Sequence, residues 1–355
     1  MAAADAMEDT LPVSRSGRGF GLLIALAIGT FLATILALGT GAVSMSPGEI
    51  IRILMETLGL MAPEGDRLNA SVLLQVRLPR VVLALGAGAA LGVGGAVLQG
   101  LFRNPLADPT LIGVSSGAGL AAVATIVLGG AMTGALGVFA LPLSAFVGGV
   151  AATLVVYRIA GEGAGNTAML LLAGIAVNAI AFSGVGVLTY LSDDTQLREL
   201  TFWTMGSVGG ATWPVIWPAV LLIAIAGGFL LSVARPLNAY LLGEAEAAHL
   251  GIDVRRLKRV AILATALAVG AAVAVSGSIG FVGLIVPHLI RLIAGPDHRI
   301  VLPGAALLGA ALLCGADILA RTIVLPAELP IGLVTSLTGG PFFLWLLMRR
   351  QGLSR

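Results

Sequence analysis

"FGLLIALAIGTFLATILALGTGA", residues 20–42, runs for twenty-three positions without a charged side chain. As a helix rising 1.5 Å per residue, about twenty such residues cross a hydrocarbon core roughly 30 Å thick. Strands of a membrane barrel would instead alternate polar and apolar over about ten residues, a period absent here. The run also exceeds the roughly 7–15 apolar residues of a secretory signal, and Arg15 and Arg18 precede it. It reads as a first spanning helix with its basic flank in the cytoplasm.

Comparable runs recur at 80–101, 111–130, 138–158, 168–191, 213–233, 258–277, 281–294, 302–322 and 331–348, which makes ten spans. The least helix-like is 281–294, short and carrying Pro287, His288 and Arg291; without it the count is nine. Hydrophobic residues make up 58% of the chain and charged ones 11%, against roughly a quarter charged in soluble domains. The fold class is therefore an all-α integral membrane protein, embedded in lipid. Forty-nine glycines imply closely packed helices, because small side chains let backbones approach where lipid is as apolar as leucine. The net charge of +2 comes mostly from loops and gives no basis for binding nucleic acid. The single cysteine, Cys314, lies within an apolar run and reads as a small core residue.

An even number of spans puts both termini on one side. With the N-terminus inside, fourteen of the basic residues lie on or near the inner face and six on the outer, in accord with the positive-inside tendency. The division is a cytoplasmic tail at 1–19, a transmembrane domain at 20–350 and a cytoplasmic tail at 351–355. Outside, residues 43–79 contain a surface helix started by Ser46 and Pro47. Residues 192–212 contain a short helix over 195–205 followed by a glycine break. No segment is long enough to form a nucleotide-hydrolysing domain, so the energy source is a partner, an ion gradient or the substrate's own gradient.

Ion-coupled transporters commonly place acids near the midplane. The expected spans hold almost none, apart from Asp317. A local pair with Arg321, four residues on, is its simpler reading and a proton relay the alternative. His288 reads as a structural hydrogen-bonding residue, because a metal site needs several ligands and the other histidines, His249 and His298, lie on polar segments. Pro105 and Pro109 break "LFRNPLADPTLIGVSSGAG", 101–119, into a fixed turn in which Asn104 can satisfy freed backbone groups.

One polar island interrupts the later spans: "LLGEAEAAHLGIDVRRLKR", 241–259. Glu244 opens a helix-compatible run in which Ala245, Ala248, Leu250 and Ile252 give a partly apolar surface. Gly251 interrupts it, and Asp253 can cap the helix that continues through Arg255, Arg256, Lys258 and Arg259. By composition this is either a platform for another protein or an interfacial anchor.

Four stretches taken together are specific: "QVRLPRVVLALGAGAALGVGGAVLQGLFRNPLADPTLIGVSSGAG" (75–119), "LGEAEAAHLGID" (242–253), "SGSIGFVGLIVPHLIRLIAGPDHR" (276–299) and "ADILARTIVLPAELPIGLVTSLTGGPFFLWLLMRR" (316–350). In this order they resemble the permease family of binding-protein-dependent ABC importers for iron siderophores, haem and cobalamin, over roughly residues 20–350. The resemblance implies a ten-helix, type II importer permease fold and two permease copies around a central pathway. It also implies two cytoplasmic ATPases that carry ATP and Mg, a periplasmic binding protein, and a bacterial inner-membrane location; the chain itself is neither an enzyme nor a cofactor binder. By the same resemblance, about 242–257 is the ATPase-coupling helix pair, with Glu244, Ala248, Leu250, Gly251, Asp253 and Arg255. Asn104, Pro105 and Leu106 form a cytoplasmic gate, with a second gate element near 163–167. Arg77, Arg80 and Arg321 match positions that receive acidic residues of the binding protein. "QLRELTFW" (196–203) followed by "MGS" (205–207) looks most like haem permeases, which makes Arg198, Trp203 and Met205 possible substrate contacts. Ferric siderophore and cobalamin remain alternatives, and an ion-coupled secondary transporter is the alternative of a different class.

Overall fold

The computed structural model describes residues 15–41, 43–62, 67–130, 134, 136–161 and 167–352. Among them, fifteen α-helices follow in order: α1 (Arg15–Gly39), α2 (Pro47–Thr57), α3 (Arg67–Ser71), α4 (Leu78–Phe102), α5 (Val114–Leu128), α6 (Ala140–Ala160), α7 (Thr167–Leu191), α8 (Asp194–Met205), α9 (Trp213–Ser232), α10 (Ala234–Tyr240), α11 (Glu244–His249), α12 (Val254–Ser276), α13 (Val282–Ala294), α14 (His298–Thr322) and α15 (Ile331–Gly352). Among the described residues there is no strand. Seven helical stretches among the described residues are long and apolar enough to cross a membrane, and Val114–Leu128, Val282–Ala294 and Ile331–Trp345 are shorter apolar helices. Each of the ten expected spans therefore coincides with a helix, 281–294 included.

Helix α4 is the axis of the bundle, surrounded by α9, α12, α13 and α14. In its span 78% of the most apolar window is buried, against 11% for α1, which lies outside α14 and exposes residues such as Phe31 to the membrane. Small residues make this centrality possible. Gly88 on α4 faces Gly309 on α14 so closely that a Cβ on either would lie 2.2 Å from the other's carbonyl oxygen.

The structure shifts four expected boundaries. Residues 15–19, assigned to the N-terminal tail, begin α1, and α15 continues through Gly352 into the C-terminal tail. The span expected from 80 starts much earlier: α3, a π-helical segment Val72–Arg77 and α4 form one continuous helix, Arg67–Phe102. A polar sequence flanking an apolar run reads as loop, whereas here tertiary packing holds its backbone helical. Arg77 and Arg80 consequently sit on a helix inside the bundle. The run expected from 111 opens later, at Val114. Asp108 caps a 3-10 turn, Pro109–Ile112, and Gly113 at φ 81° ends it.

Candidate coupling and gating site

The polar island forms two helices, as its residues require. α11 opens at Glu244, its chain leaves through Gly251 at φ 82°, and Asp253 caps α12 by accepting from the Arg256 N–H at 2.9 Å. The left-handed conformation at Gly251 is one that side-chain-bearing residues rarely adopt, so this bend needs its glycine. Ala247 is the buried foot of α11, while Ala245, Ala248, Leu250 and Arg255 are exposed. Glu244, Ala245, Ala248, Ile252, Asp253, Val254 and Arg255 line an open groove of about 730 Å³. All the expected coupling residues thus lie together around one bend.

The turn after α4 is built by local bonds. Arg103, at φ 49°, ends the helix in a left-handed conformation, with its N–H directed to the carbonyls of Gln99 and Gly100. Asn104 Oδ1 accepts from the Leu106 N–H at 2.9 Å, and its carbonyl accepts from the Ala107 N–H at 3.1 Å. Pro105 and Leu106 are exposed. The chain then dives back into the bundle: Asp108 and Pro109 reach Gly283 on α13 at the level of Leu91, near the middle of α4. Sequence reading placed only Asp317 among intramembrane acids and missed Asp108, because a re-entrant turn has no periodicity of its own. Of the second gate element, 163–166 lies outside the described residues and Thr167 opens α7.

Asn104 is expected to hold this turn by its side-chain acceptor. Asn104→Ala should loosen it by about 1 kcal/mol, the usual size of one such hydrogen bond. Hydrogen exchange read at the Leu106 amide of the assembled protein checks this: faster exchange is expected, and unchanged exchange would refute the assignment.

The three arginines expected to dock a binding protein make contacts within the chain. Arg77, Arg80 and Arg321 are 4%, 7% and 6% exposed. Arg77 donates to the carbonyls of Leu38, at 2.7 Å, and Val43, and Arg321 donates to that of Ala37 at 2.5 Å. Residues 37 and 38 lie in the last turn of α1, whose carbonyls have no helical partner and carry the negative end of the helix dipole. Arg80 Nη2 meets Asp317 Oδ1 at 2.8 Å, and its Nη1 meets Glu328 Oε2 at 2.9 Å. Arg321 Nε lies 3.5 Å from Asp317 Oδ2, so the local pair read from the sequence exists alongside a second pair from α4. These cations form an internal brace between α1, α4 and α14, and among their side-chain partners Glu328 is substantially exposed while Asp317 is buried.

Helix α8 opens with a capping box, Asp193 accepting from the Thr195 and Gln196 N–H groups and Gln196 reaching back to the Asp193 N–H. Gly206, at φ 73°, ends it. Arg198 is exposed, whereas Trp203 and Met205 are half-buried, and Trp203 packs against the core. Helical spacing puts Arg198, Phe202 and Met205 on one face, and Phe202, 58% exposed, was passed over for Trp203. The backbone of the helix end is fixed to the α12–α13 break: the Ser207 N–H donates to the Ser276 carbonyl at 2.7 Å.

Residues 29–349 match the model of the FecCD transport family. The hemin transport system permease protein of Yersinia pestis is 52% identical over 278 residues, 78% of this chain and 83% of the relative. The vitamin B12 import system permease protein of Escherichia coli O9:H4 (strain HS) is 39% identical over 342 residues, covering 96% and 99%. A solved structure described as an inward-facing conformation of a metal-chelate type ABC transporter superposes with a TM-score of 0.81 at 33% identity, over 93% of this chain and 99% of that one. The ten apolar helices thus belong with these matches: this chain is a multi-pass ABC importer permease of the FecCD transport family.

Proposed function

We propose that this chain imports haem as one of two permease copies driven by two cytoplasmic ATPases, which carry the ATP and Mg. A periplasmic binding protein delivers the load, and the complex sits in a bacterial inner membrane with both termini of the chain in the cytoplasm. The observation that carries the reading is the exposed α11–Gly251–α12 bend, a grooved platform beside the turn that closes the path. An apolar-lined, polar-rimmed groove of this kind suits insertion of a partner's surface. The basic residues concentrated on that face support its cytoplasmic placement. The haem assignment rests on the similarity to the hemin permease, and on the α8 face that offers a guanidinium, an aromatic ring and a thioether at Arg198, Phe202 and Met205. Such a face suits a flat, apolar ring system with carboxylate substituents.

Transport then proceeds by alternating access. Docking of loaded binding protein and closure of the ATPases open the outer side, and Asn104, Pro105 and Leu106 gate the inner one. The test is uptake by proteoliposomes holding this chain, its ATPase and its binding protein, offered haem, a ferric siderophore and cobalamin in turn. ATP-dependent accumulation of haem is expected. Accumulation of cobalamin or siderophore alone would leave the importer and overturn the substrate, while uptake driven by an ion gradient without ATP would overturn the importer itself. Ala248→Glu, which puts a charge into the groove, is expected to weaken ATPase association at least about 30-fold, as for a central interface position. Co-purification of unchanged ATPase at dilute concentration would show that the groove is not the contact.

A further inference from the structure

The gate turn and the coupling bend are separate in sequence yet share a chain of contacts through one residue, Tyr240. This tyrosine ends α10 and is 2% exposed. Its carbonyl oxygen accepts from Arg103 Nη2 at 2.7 Å and from the Gly243 N–H at 3.3 Å. Gly243 is the residue on which α11 starts, and its own carbonyl accepts from the Ala247 N–H at 3.0 Å. The ring of Tyr240 faces two cations, with Arg103 Cζ 4.5 Å and Lys258 Nζ 5.8 Å from its centroid. Lys258 in turn lies 3.0 Å from both carboxylate oxygens of Glu244, the first residue of α11.

Two features separate this arrangement from ordinary packing. Arg103 occupies a left-handed backbone position where glycine is the usual residue. A longer side chain persists in such a conformation when its surroundings hold it there, and here the tether is the Tyr240 carbonyl and ring. The second feature is the rigidity of the intermediate arm. Leu237 on α10 is fully buried, and Asn238 bonds both Asp297 Oδ1, at 2.6 Å, and the His298 N–H, at 2.8 Å, at the start of α14. α10 also packs on α4 and on α11. A displacement of α11 therefore reaches Arg103 through short, directional contacts, and Arg103 is covalently joined to Asn104, Pro105 and Leu106.

We infer that Arg103, Tyr240 and Lys258 are positioning residues that transmit movement of the α11 bend to the inner gate. The inference rests on the importer reading and names the path within it. Its signature is uncoupling, in which ATP is still hydrolysed while less substrate crosses per ATP. In the reconstituted complex, Arg103→Gln keeps a non-glycine residue at the turn but removes the charge and the reach to Tyr240. The transport-to-ATP ratio is expected to fall about ten-fold, the equivalent of one charge-assisted hydrogen bond. Arg103→Lys, which retains a donor and a cation for the ring, is expected to restore most of the ratio. Lys258→Gln should lower it in the same direction, and combined with Arg103→Gln should add little, because the two act in one chain of contacts.

A ratio unchanged in both variants, or transport and hydrolysis falling together by the same factor, overturns the relay while leaving the importer intact. If the Arg103→Gln complex does not assemble, Lys258→Gln alone decides by the same ratio. Absence of ATP-dependent uptake by the unsubstituted complex overturns the importer reading and the relay with it.

Discussion

Asp317→Ala is expected to destabilise the protein by about 3–5 kcal/mol, the usual cost of stripping one partner from a buried ion pair. The Asp317 side chain is 1% exposed and lies between two guanidinium groups. Removing it leaves Arg321, 6% exposed, without its carboxylate neighbour, and leaves Arg80 with Glu328 alone. The penalty comes from the stranded cations more than from the lost attraction, since a well-packed apolar replacement of a whole buried pair is often tolerated. Arg321→Met combined with Asp317→Leu, which removes the cation left without a carboxylate while Arg80 keeps Glu328, should therefore recover a large part of the loss. Thermal unfolding of the purified protein in lipid nanodiscs checks both. An unshifted transition in Asp317→Ala would mean the brace contributes nothing, and a double variant worse than the sum of the single ones would refute the stranded-charge account.

Gly88→Val is the second large effect. The added Cβ alone falls 2.2 Å from the Gly309 carbonyl oxygen, and the obstacle is backbone rather than the movable end of a side chain. α4 and α14 must separate, and the separation spreads to Gly92, whose own Cβ would lie 2.3 Å from the Ala305 carbonyl. Overpacking of this kind costs about 1–3 kcal/mol and more when backbone must move. Gly228→Ala on α9 is the control, because nothing lies within 4 Å of its Cβ position. Alanine there is expected to be neutral or stabilising by up to about 1 kcal/mol through helix propensity. Equal losses at both positions, read from the same unfolding transition, would refute the close-approach account.

Both predictions rest on partners distant in sequence, and this is where reading the chain ran out. The hydrophobic runs displayed all ten apolar helices, and the caps at Ser46 and Asp253 marked helix starts, because these are local properties of a few consecutive residues. Gly251 likewise announced its bend. Arg77 and Arg80 were legible as charges but not as buried ones: their placement depends on a helix extended back to Arg67 and on the carbonyl-bearing end of α1. Phe202 was overlooked because either aromatic in "TFWTM" satisfies the same composition, and only packing decides that Trp203 turns toward the core.

The sequence by itself determined the membrane environment, the approximate limits of the apolar helices, and the existence of a polar two-helix island. Burial in lipid and backbone hydrogen bonding impose those on any chain with this pattern. Which cations meet which anions, that Asp108 reaches the depth of Leu91, and that Arg103 and Lys258 share the ring of Tyr240 were decided only by the tertiary structure. Directional contacts between residues far apart in the chain depend on how helices cross and how closely glycine lets them approach, and neither distance is written in the local pattern.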